Sequence, residues 1–144
     1  MSIKQISVFL ENKPGTLDKL MAVMAGANID LRALSLAETK DFGIARMIVD
    51  DAFSALNVLK EKDFIASLTP VLAFAVPDEP GGLSKLLAKF TEKGVNIEYM
   101  YAFLDVKQVG QACMIFRVND TEASERDLVN AGLKPLTQED FSKT

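Results

Sequence analysis

The stretch PGGLSKLLAKFTEKGVNIE, from Pro80 to Glu98, decides the fold of this chain, because the chain contains it twice. The earlier copy is PGTLDKLMAVMAGANID, from Pro14 to Asp30, and its Pro-Gly pair recurs 66 positions later. The Gly-x-Asn-Ile turns of the two copies lie 68 positions apart. We therefore expect two extra residues near the end of the second helix, and a chain built from two similar domains rather than a solenoid.

Alternating and helical patterns surround the repeat in both copies. Ile6, Val8 and Leu10 face one way on a half-buried strand, and their counterparts recur 66 positions later. Apolar residues at i, i+3, i+4 and i+7 then predict an amphipathic helix in each copy. These residues are Leu17, Leu20, Met21 and Met24 in the first copy, and Leu83, Leu86, Leu87 and Phe90 in the second. Gly26 is placed to cap the first of these helices.

The segments that follow predict further strands and a second helix in each copy. Ile29, Leu31 and Ala33 are expected on one side of a strand, and Ile97, Tyr99, Tyr101 and Phe103 on one face of its counterpart. Hairpin turns are expected at Lys40–Gly43 and at Lys107–Gly110. Phe64-Ile65 predicts a weak fourth strand, residues 66–70 a linker, and the tail from Leu133 another short strand.

The predicted order is βαββαβ in each copy. This order is typical of an α+β fold with two ferredoxin-like units, each an antiparallel sheet with its helices on one face. We predict domains at residues 1–69 and 70–144, and because units of about 70 residues bury little core alone, we expect them to pack together and to form a homodimer. Tyr99, Tyr101, Phe103 and Met114 are the candidates for a buried sheet face or interface.

Composition argues against several classes of function. The chain has no histidine and a single cysteine, Cys113, in an apolar strand, so it offers neither an imidazole base nor a Cys/His metal cluster. We expect no enzyme activity, no metal and no cofactor. The net charge of −4 argues against nucleic acid and anionic membranes as partners. No apolar run is long enough to span a membrane, so we expect a cytoplasmic protein.

Two functions found on the same order of elements are also disfavoured. RNA-recognition domains stack bases on aromatic residues of their central strands, but the acidic balance of this chain favours a protein partner for its tyrosines. Acylphosphatases need an anion-binding arginine in the first loop. The loops Glu11–Gly15 and Asp78–Gly82 contain no arginine.

The Pro-Gly loops are the candidate binding elements. Glycines at a helix start expose backbone N–H groups that suit a carboxylate, and Gly15, Thr16, Gly81 and Gly82 are the expected donors. Asn12, Asn28, Asp78 and Asn96 can accept hydrogen bonds from an ammonium group. Taken singly, Pro-Gly is a turn signal and asparagine after glycine is a turn residue, so the structural interpretation stays open for each.

The segments ENKPGTL…GANID and DEPGGLSKLLAKFTEKGVNIEYM resemble ACT domains, which are regulatory modules that bind amino acids. The resemblance covers residues 3–66 and 70–137, and it implies a stand-alone tandem ACT protein without a catalytic domain. It also implies ligand sites at interfaces between ACT units. Serine-sensing members carry a histidine where this chain has Leu10 and Val76, and Asp78 stands where an asparagine is expected. An apolar amino acid is therefore expected rather than serine.

The expected function is that of a non-catalytic regulatory protein, which binds a free amino acid and signals to a partner. A ligand-free interaction module and a regulatory subunit of an amino-acid biosynthetic enzyme are the alternatives, so a metabolic enzyme is a possible partner. The expected ligand-binding residues are Asn12, Pro14, Gly15, Thr16, Leu17, Asn28, Ile29, Asp78, Pro80, Gly81, Gly82, Leu83, Asn96 and Ile97.

Overall fold

The computed structural model describes residues 2–38, 40–103 and 111–142. The first copy contains β1 (Ile3–Glu11), α1 (Thr16–Gly26), β2 (Leu31–Glu38), β3 (Phe42–Val49) and α2 (Ala52–Glu61). The second contains α3 (Gly82–Glu92), β5 (Ile97–Phe103), β6 (Gln111–Val118), α4 (Thr121–Asn130) and a short α5 (Gln138–Ser142). A single strand, β4 (Ile65–Pro77), joins the copies, so the predicted linker at residues 66–70 is wrong.

Contacts among the described residues divide the chain into two compact units. The first unit is Lys4–Thr69 with residues 139–142, and the second is residues 2–3 with Pro70–Gln138. The domain boundaries expected from the repeat, 1–69 and 70–144, stay a prediction.

Each unit is an antiparallel sheet with two helices on one face, as the repeat predicted. In the first unit, β3 lies between β1 and β2, with Met47 opposite Ile6 and also opposite Leu34. Both helices cover the same face, since Leu20 of α1 and Leu59 of α2 are fully buried in one core. In the second unit, β6 lies between β4 and β5, and α3 and α4 bury a core of their own.

The helical stripes are confirmed in both copies, because their inner residues are buried and the others pack against the cores. The strand faces differ from the prediction at one equivalent point in each copy. A register shift between Leu31 and Ala33, repeated between Ile97 and Tyr99, places the earlier residue on the helical face and the later one on the other face. Met114 also packs on the helical side, away from the tyrosines.

The second copy does not have the two extra residues that were expected near the end of its first helix. Both α1 and α3 have 11 residues, and the left-handed residue after each is Asn28 (φ 57°) or Gly94 (φ 69°), 66 positions apart. Gly26 is the last helical residue and does not provide the left-handed turn. Equivalent residues of the two copies lie 69 positions apart only from β3 and β6 onward. The added residues therefore fall in the segment before β6, which includes the predicted Lys107–Gly110 turn. That turn lies outside the described residues.

The tail of the second copy is not a strand in the part of the chain that the structure describes. The backbone N–H of Leu136 donates one bond to the carbonyl of Ala73 at 2.8 Å, and α5 begins two residues later. The side chain of Phe103 also lies outside the description. Tyr99 and Tyr101 are half-buried, and Cys113 is buried on their side of the sheet.

Asp51 caps α2, and its removal is expected to destabilise the protein. Its carboxylate accepts from the Ser54 N–H at 3.1 Å and the Ser54 hydroxyl at 2.8 Å, and these bonds lower the pKa of Asp51 below 3.8. A lowered pKa means that the contribution is present above pH 3.8 and is lost as the pH falls through the folded-state pKa. We expect Asp51→Ala to cost about 1 kcal/mol at pH 7.

Urea unfolding at pH 7 and at pH 3 measures this effect, with Asp120→Ala as the matched control. Asp120 caps α4 through the Ala123 N–H at 3.1 Å, without a hydroxyl partner. The difference between Asp51→Ala and the parent protein should shrink at the lower pH. An equal difference at both pH values would contradict the role of the ionised carboxylate.

Candidate functional site

The loop between β1 and α1 is the first element of the site. Gly15 has a left-handed φ of 90°, which lets the chain reverse just before the helix. The hydroxyl of Thr16 fixes the loop, since it donates toward the carbonyls of Glu11 at 2.9 Å and Lys13 at 3.1 Å. The loop is therefore held by its own hydrogen bonds.

The first turn of α1 offers hydrogen-bond donors. Among the described residues, the N–H groups of Leu17 and Asp18 have no acceptor, and that of Thr16 makes only a long bond of 3.5 Å to Lys13. Unsatisfied N–H groups at a helix start carry partial positive charge and bind carboxylates. The donors thus include Leu17 and Asp18, which the sequence argument did not single out as donors.

Asn12 is engaged by the neighbouring hairpin. Its backbone N–H donates to the carbonyl of Asp41 at 2.9 Å, and its side-chain amide donates to that of Lys40 at 3.3 Å. These bonds tie the end of β1 to the turn between β2 and β3. Asn12 therefore holds this loop against the β2–β3 turn.

Two cavities flank this loop within the first unit. The smaller, about 140 Å³, opens toward β2 and is lined by Leu10, Glu11, Asn12, Lys13, Gly15, Thr16, Leu17, Asp18, Leu36, Glu38 and Gly43. The larger is a groove of about 600 Å³ on the side where β4 begins. It is lined by Phe9, Leu10, Glu11, Lys13, Pro14, Gly15, Thr16, Lys19, Phe42, Asp63, Phe64 and Ile65. The same loop thus supplies a wall to both.

The equivalent loop of the second unit is closed more tightly. Gly81 repeats the left-handed conformation with φ 86°, but a Cβ at Gly82 would lie 2.3 Å from the carbonyl oxygen of Pro77. The N–H of Gly82 is already bonded to the carbonyl of Glu79 at 3.1 Å. Gly82 was expected as a donor, and the structure commits that N–H to the loop itself.

The predicted asparagines lie far from the loops of their own copies. Asn28 follows the far end of α1, and 11 residues of helix span about 16 Å. It occupies the left-handed position that turns the chain, and its N–H donates to the carbonyl of Ala25. Within one unit, therefore, Asn12 and Asn28 do not share a site.

Asn96 is not the structural counterpart of Asn28. Its N–H is already used within the chain, because it donates to the Oδ1 of Asn119 at 3.1 Å, and the N–H of Asn119 donates back to the Asn96 carbonyl. Asp30 and Asp50 form the same reciprocal pair in the first copy. The two Gly-x-Asn-Ile motifs therefore occupy different structural positions in the two copies.

The remaining predicted residues divide between core and surface. Leu17, Ile29, Leu83 and Ile97 all pack against the two helical cores. Asp78 and Pro80 are exposed at the second loop. The structure thus brings together Asn12 and Pro14–Leu17 of the first copy, and separates them from Asn28 and Ile29.

Sequence reasoning missed the aromatic residues of the larger groove. Phe9 lies on the sheet face that lacks α1 and α2, where it contacts Phe42 with ring centroids 4.9 Å apart. The ammonium of Lys19 sits 5.9 Å from the ring centre of Phe64. The available signal was Phe9 itself, a large apolar residue on the outward side of an otherwise regular alternation.

The described residues contain no group of three acidic or thiol side chains placed to hold a metal ion. Over the same residues, no helix is both long and apolar enough to cross a bilayer.

Comparison with known proteins identifies what the chain is similar to. A family model described as an ACT domain pair matches residues 1–144. The crystal structure of protein BT0572 from Bacteroides thetaiotaomicron is 38% identical with a TM-score of 0.91, covering 100% of this chain and 98% of that one.

Two regulatory subunits of aspartate kinase share the fold. The Thermus thermophilus subunit, in its ligand-free form, is 19% identical with a TM-score of 0.63 over 90% of this chain and 92% of its own. The Thermus flavus subunit is 18% identical with a TM-score of 0.61 over 92% and 94%. No curated protein matches this chain.

Proposed function

Because the chain belongs to the family of ACT domain pairs, we propose that it is a non-catalytic regulatory protein that binds a free amino acid and signals to a partner. The observation that carries this proposal is the loop of the first unit. There, N–H groups of Leu17 and Asp18 without an acceptor among the described residues border a cavity. These groups can receive the carboxylate that every free amino acid carries.

An acceptor for the ammonium group of the same ligand lines the same cavity. Glu11 and Glu38 both line the smaller cavity; Glu11 pairs with Lys13 at 3.1 Å, so Glu38 is the carboxylate that we expect to attract the ammonium. Leu10 and Leu36 supply apolar surface beside them. This mixture of donors, acidic groups and apolar walls fits a zwitterion with an apolar side chain better than it fits serine.

We further propose that a second copy of the chain completes the site. In the first unit β2 is an edge strand, and its Leu34 and Leu36 are 37% and 50% exposed. Edge strands with apolar side chains readily pair with another chain. Because Leu36 also lines the cavity, a homodimer formed along β2 would cover a ligand bound there.

The partner that receives the signal is proposed to be a metabolic enzyme. Two proteins of the same fold are regulatory subunits of aspartate kinase, and the match covers 92% and 94% of their chains. The net charge of −4 gives no support to a nucleic acid or an anionic membrane as that partner. The three proposals, ligand, dimer and enzyme, can fail separately.

A thermal-shift screen of the twenty amino acids at millimolar concentration tests the binding proposal. Selective binding to the folded state adds about 2.7 kcal/mol when the ligand stands at a hundred times its Kd, so one or a few amino acids should raise the Tm. A uniform result would refute the proposal and favour an interaction module without a ligand.

Leu36→Lys tests the place of binding. We expect it to abolish the thermal shift, because a lysine there fills the cavity and adds a charge to the β2 edge. The matched control is Val129→Lys, since Val129 is 48% exposed on α4 of the second unit and lines neither cavity. Light scattering on both variants reports the dimer separately.

A further inference from the structure

The geometry points to an aromatic amino acid as the ligand of the first unit, with its ring in the groove that Phe9, Phe42 and Phe64 line. This inference rests on the proposed function and names the ligand class. It also extends the site from the small cavity around the loop to the larger groove. The groove volume of about 600 Å³ lies within the range of about 300–1,000 Å³ typical of small-molecule sites.

Two of the phenylalanines that line the groove, Phe9 and Phe42, are exposed and take no part in the hydrophobic core. Phe9 and Phe42 are 42% and 45% exposed, yet their rings contact each other with an interplanar angle of 36°. Ile65 beside them is 72% exposed. Exposed apolar side chains that line one concave surface mark a binding site, and a ligand ring can pack on such a wall by offset or edge contacts.

The second copy adopts the same fold without phenylalanine at these three positions. The structural offsets place Ala75 at the position of Phe9, Gln111 at that of Phe42 and Leu133 at that of Phe64. The offset of 69 is confirmed at Phe64 and Leu133, whose N–H groups bond the equivalent carbonyls of Leu59 and Leu128. The three phenylalanines therefore belong to the first unit, and the ACT architecture does not demand them.

The rim of the groove matches the two charges of an amino acid. Lys13 and Lys19 provide positive charge, and Glu11 and Asp63 provide negative charge. Lys13 already pairs with Glu11 at 3.1 Å, while the Lys19 ammonium lies 5.9 Å from the centre of the Phe64 ring. A ligand carboxylate that binds Lys19 can therefore place its ring in the same groove as the phenylalanines.

Calorimetric titration with L-phenylalanine, L-leucine and L-serine tests the inference on the full chain. We expect L-phenylalanine to bind most tightly. The double variant Phe9→Ala/Phe42→Gln gives each position the residue of the second copy, and it should weaken L-phenylalanine binding by about tenfold or more. The control is Phe53→Ala, an exposed phenylalanine of α2 that lies outside the groove, and it should leave the affinity unchanged.

The outcomes separate this inference from the proposed function. Binding of leucine or serine without binding of phenylalanine overturns the aromatic ligand and leaves amino-acid regulation standing. Failure of all amino acids overturns both. An unchanged affinity in the double variant, together with a dimer that becomes a monomer, would assign the phenylalanines to an interface and overturn the inference.

A measurement on the unaltered protein covers the case of a variant that does not fold. In NMR spectra of protein labelled at phenylalanine rings, L-phenylalanine should shift the Phe9 and Phe42 signals and leave the Phe53 signal in place. Binding that shifts none of the groove signals would overturn the inference even without any variant.

Discussion

Phe116→Ala is expected to cost about 3–5 kcal/mol of the free energy of unfolding, more than any other single change considered for the second unit. Phe116 is fully buried, and its ring centroid lies 4.8 Å from that of Phe90 and 6.2 Å from that of Phe74. The three rings form the centre of the second core. Truncation removes contacts with both neighbours and leaves a cavity under α3, which the surrounding backbone cannot fill.

The first unit supplies the matched variant for this experiment. Its core has Met47 at the position of Phe116, and Val8 and Met24 at those of Phe74 and Phe90. Phe116→Met therefore introduces a residue that the same place in the fold already accepts, and we expect it to cost only about 1–2 kcal/mol.

Urea unfolding followed by circular dichroism measures both variants. The slope of the free energy against urea should stay the same, because the folded surface hardly changes. A loss below about 1 kcal/mol for Phe116→Ala would contradict the aromatic centre of this core. Equal losses for alanine and methionine would show that ring packing, rather than volume, decides the stability there.

Most of the fold could be predicted because two periods are written clearly in the sequence. The stripe Leu83, Leu86, Leu87 and Phe90 repeats that of α1, and burial of a helix face leaves little choice of orientation. The alternation of Ile6, Val8 and Leu10 fixed the helical face of β1 in the same way. The order of elements then followed from the repeat.

The register shifts could not be predicted, since the alternation of apolar and polar residues in the sequence continues across a bulge. Ile97 and Tyr99 are two residues apart and read as one face, but the shift between them sends them to opposite faces. The strand β4 was also missed as one element. Proline at position 70 signalled a boundary, although proline is tolerated in a strand where its position needs no donor.

The two Pro-Gly loops precede α1 and α3 as the sequence predicted, but their hydrogen bonds could not be predicted from residue types. Gly-x-Asn-Ile occurs twice, and yet Asn28 turns the chain whereas Asn96 sits where the first copy has Asp30. The aromatic groove depends on Phe9 and Phe64, which are far apart in sequence and line the same groove because β4 begins beside the end of β1.

The difference between the two loops leads to the second large effect, which is expected for Gly82→Ala. In a helix, glycine to alanine normally stabilises by about 0.5–1 kcal/mol. At Gly82 the new Cβ would lie 2.3 Å from the Pro77 carbonyl oxygen, which is a backbone atom and cannot rotate away. The loop must open instead, so we expect a loss of about 2–3 kcal/mol.

Gly26→Ala is the matched control, because Gly26 ends α1 and a Cβ there would meet nothing within 4 Å. We expect that variant to be slightly more stable than the parent protein. Thermal and urea unfolding give both values, and a Gly82→Ala protein as stable as Gly26→Ala would contradict the close approach.

The same substitution separates the two loops functionally. At the position of Gly82, the first unit has Thr16, whose hydroxyl reaches the Glu11 carbonyl from a loop wide enough to hold a side chain. The loop of the second unit packs closely on Pro77, and the Gly82 N–H is bonded within that loop.

If the amino acid binds only at the first loop, Gly82→Ala should lower stability and leave the affinity for the ligand within about twofold, since the altered atoms lie outside the site. Titration at a temperature where the variant is folded decides this point, and a large loss of affinity would place ligand contacts in the second unit as well.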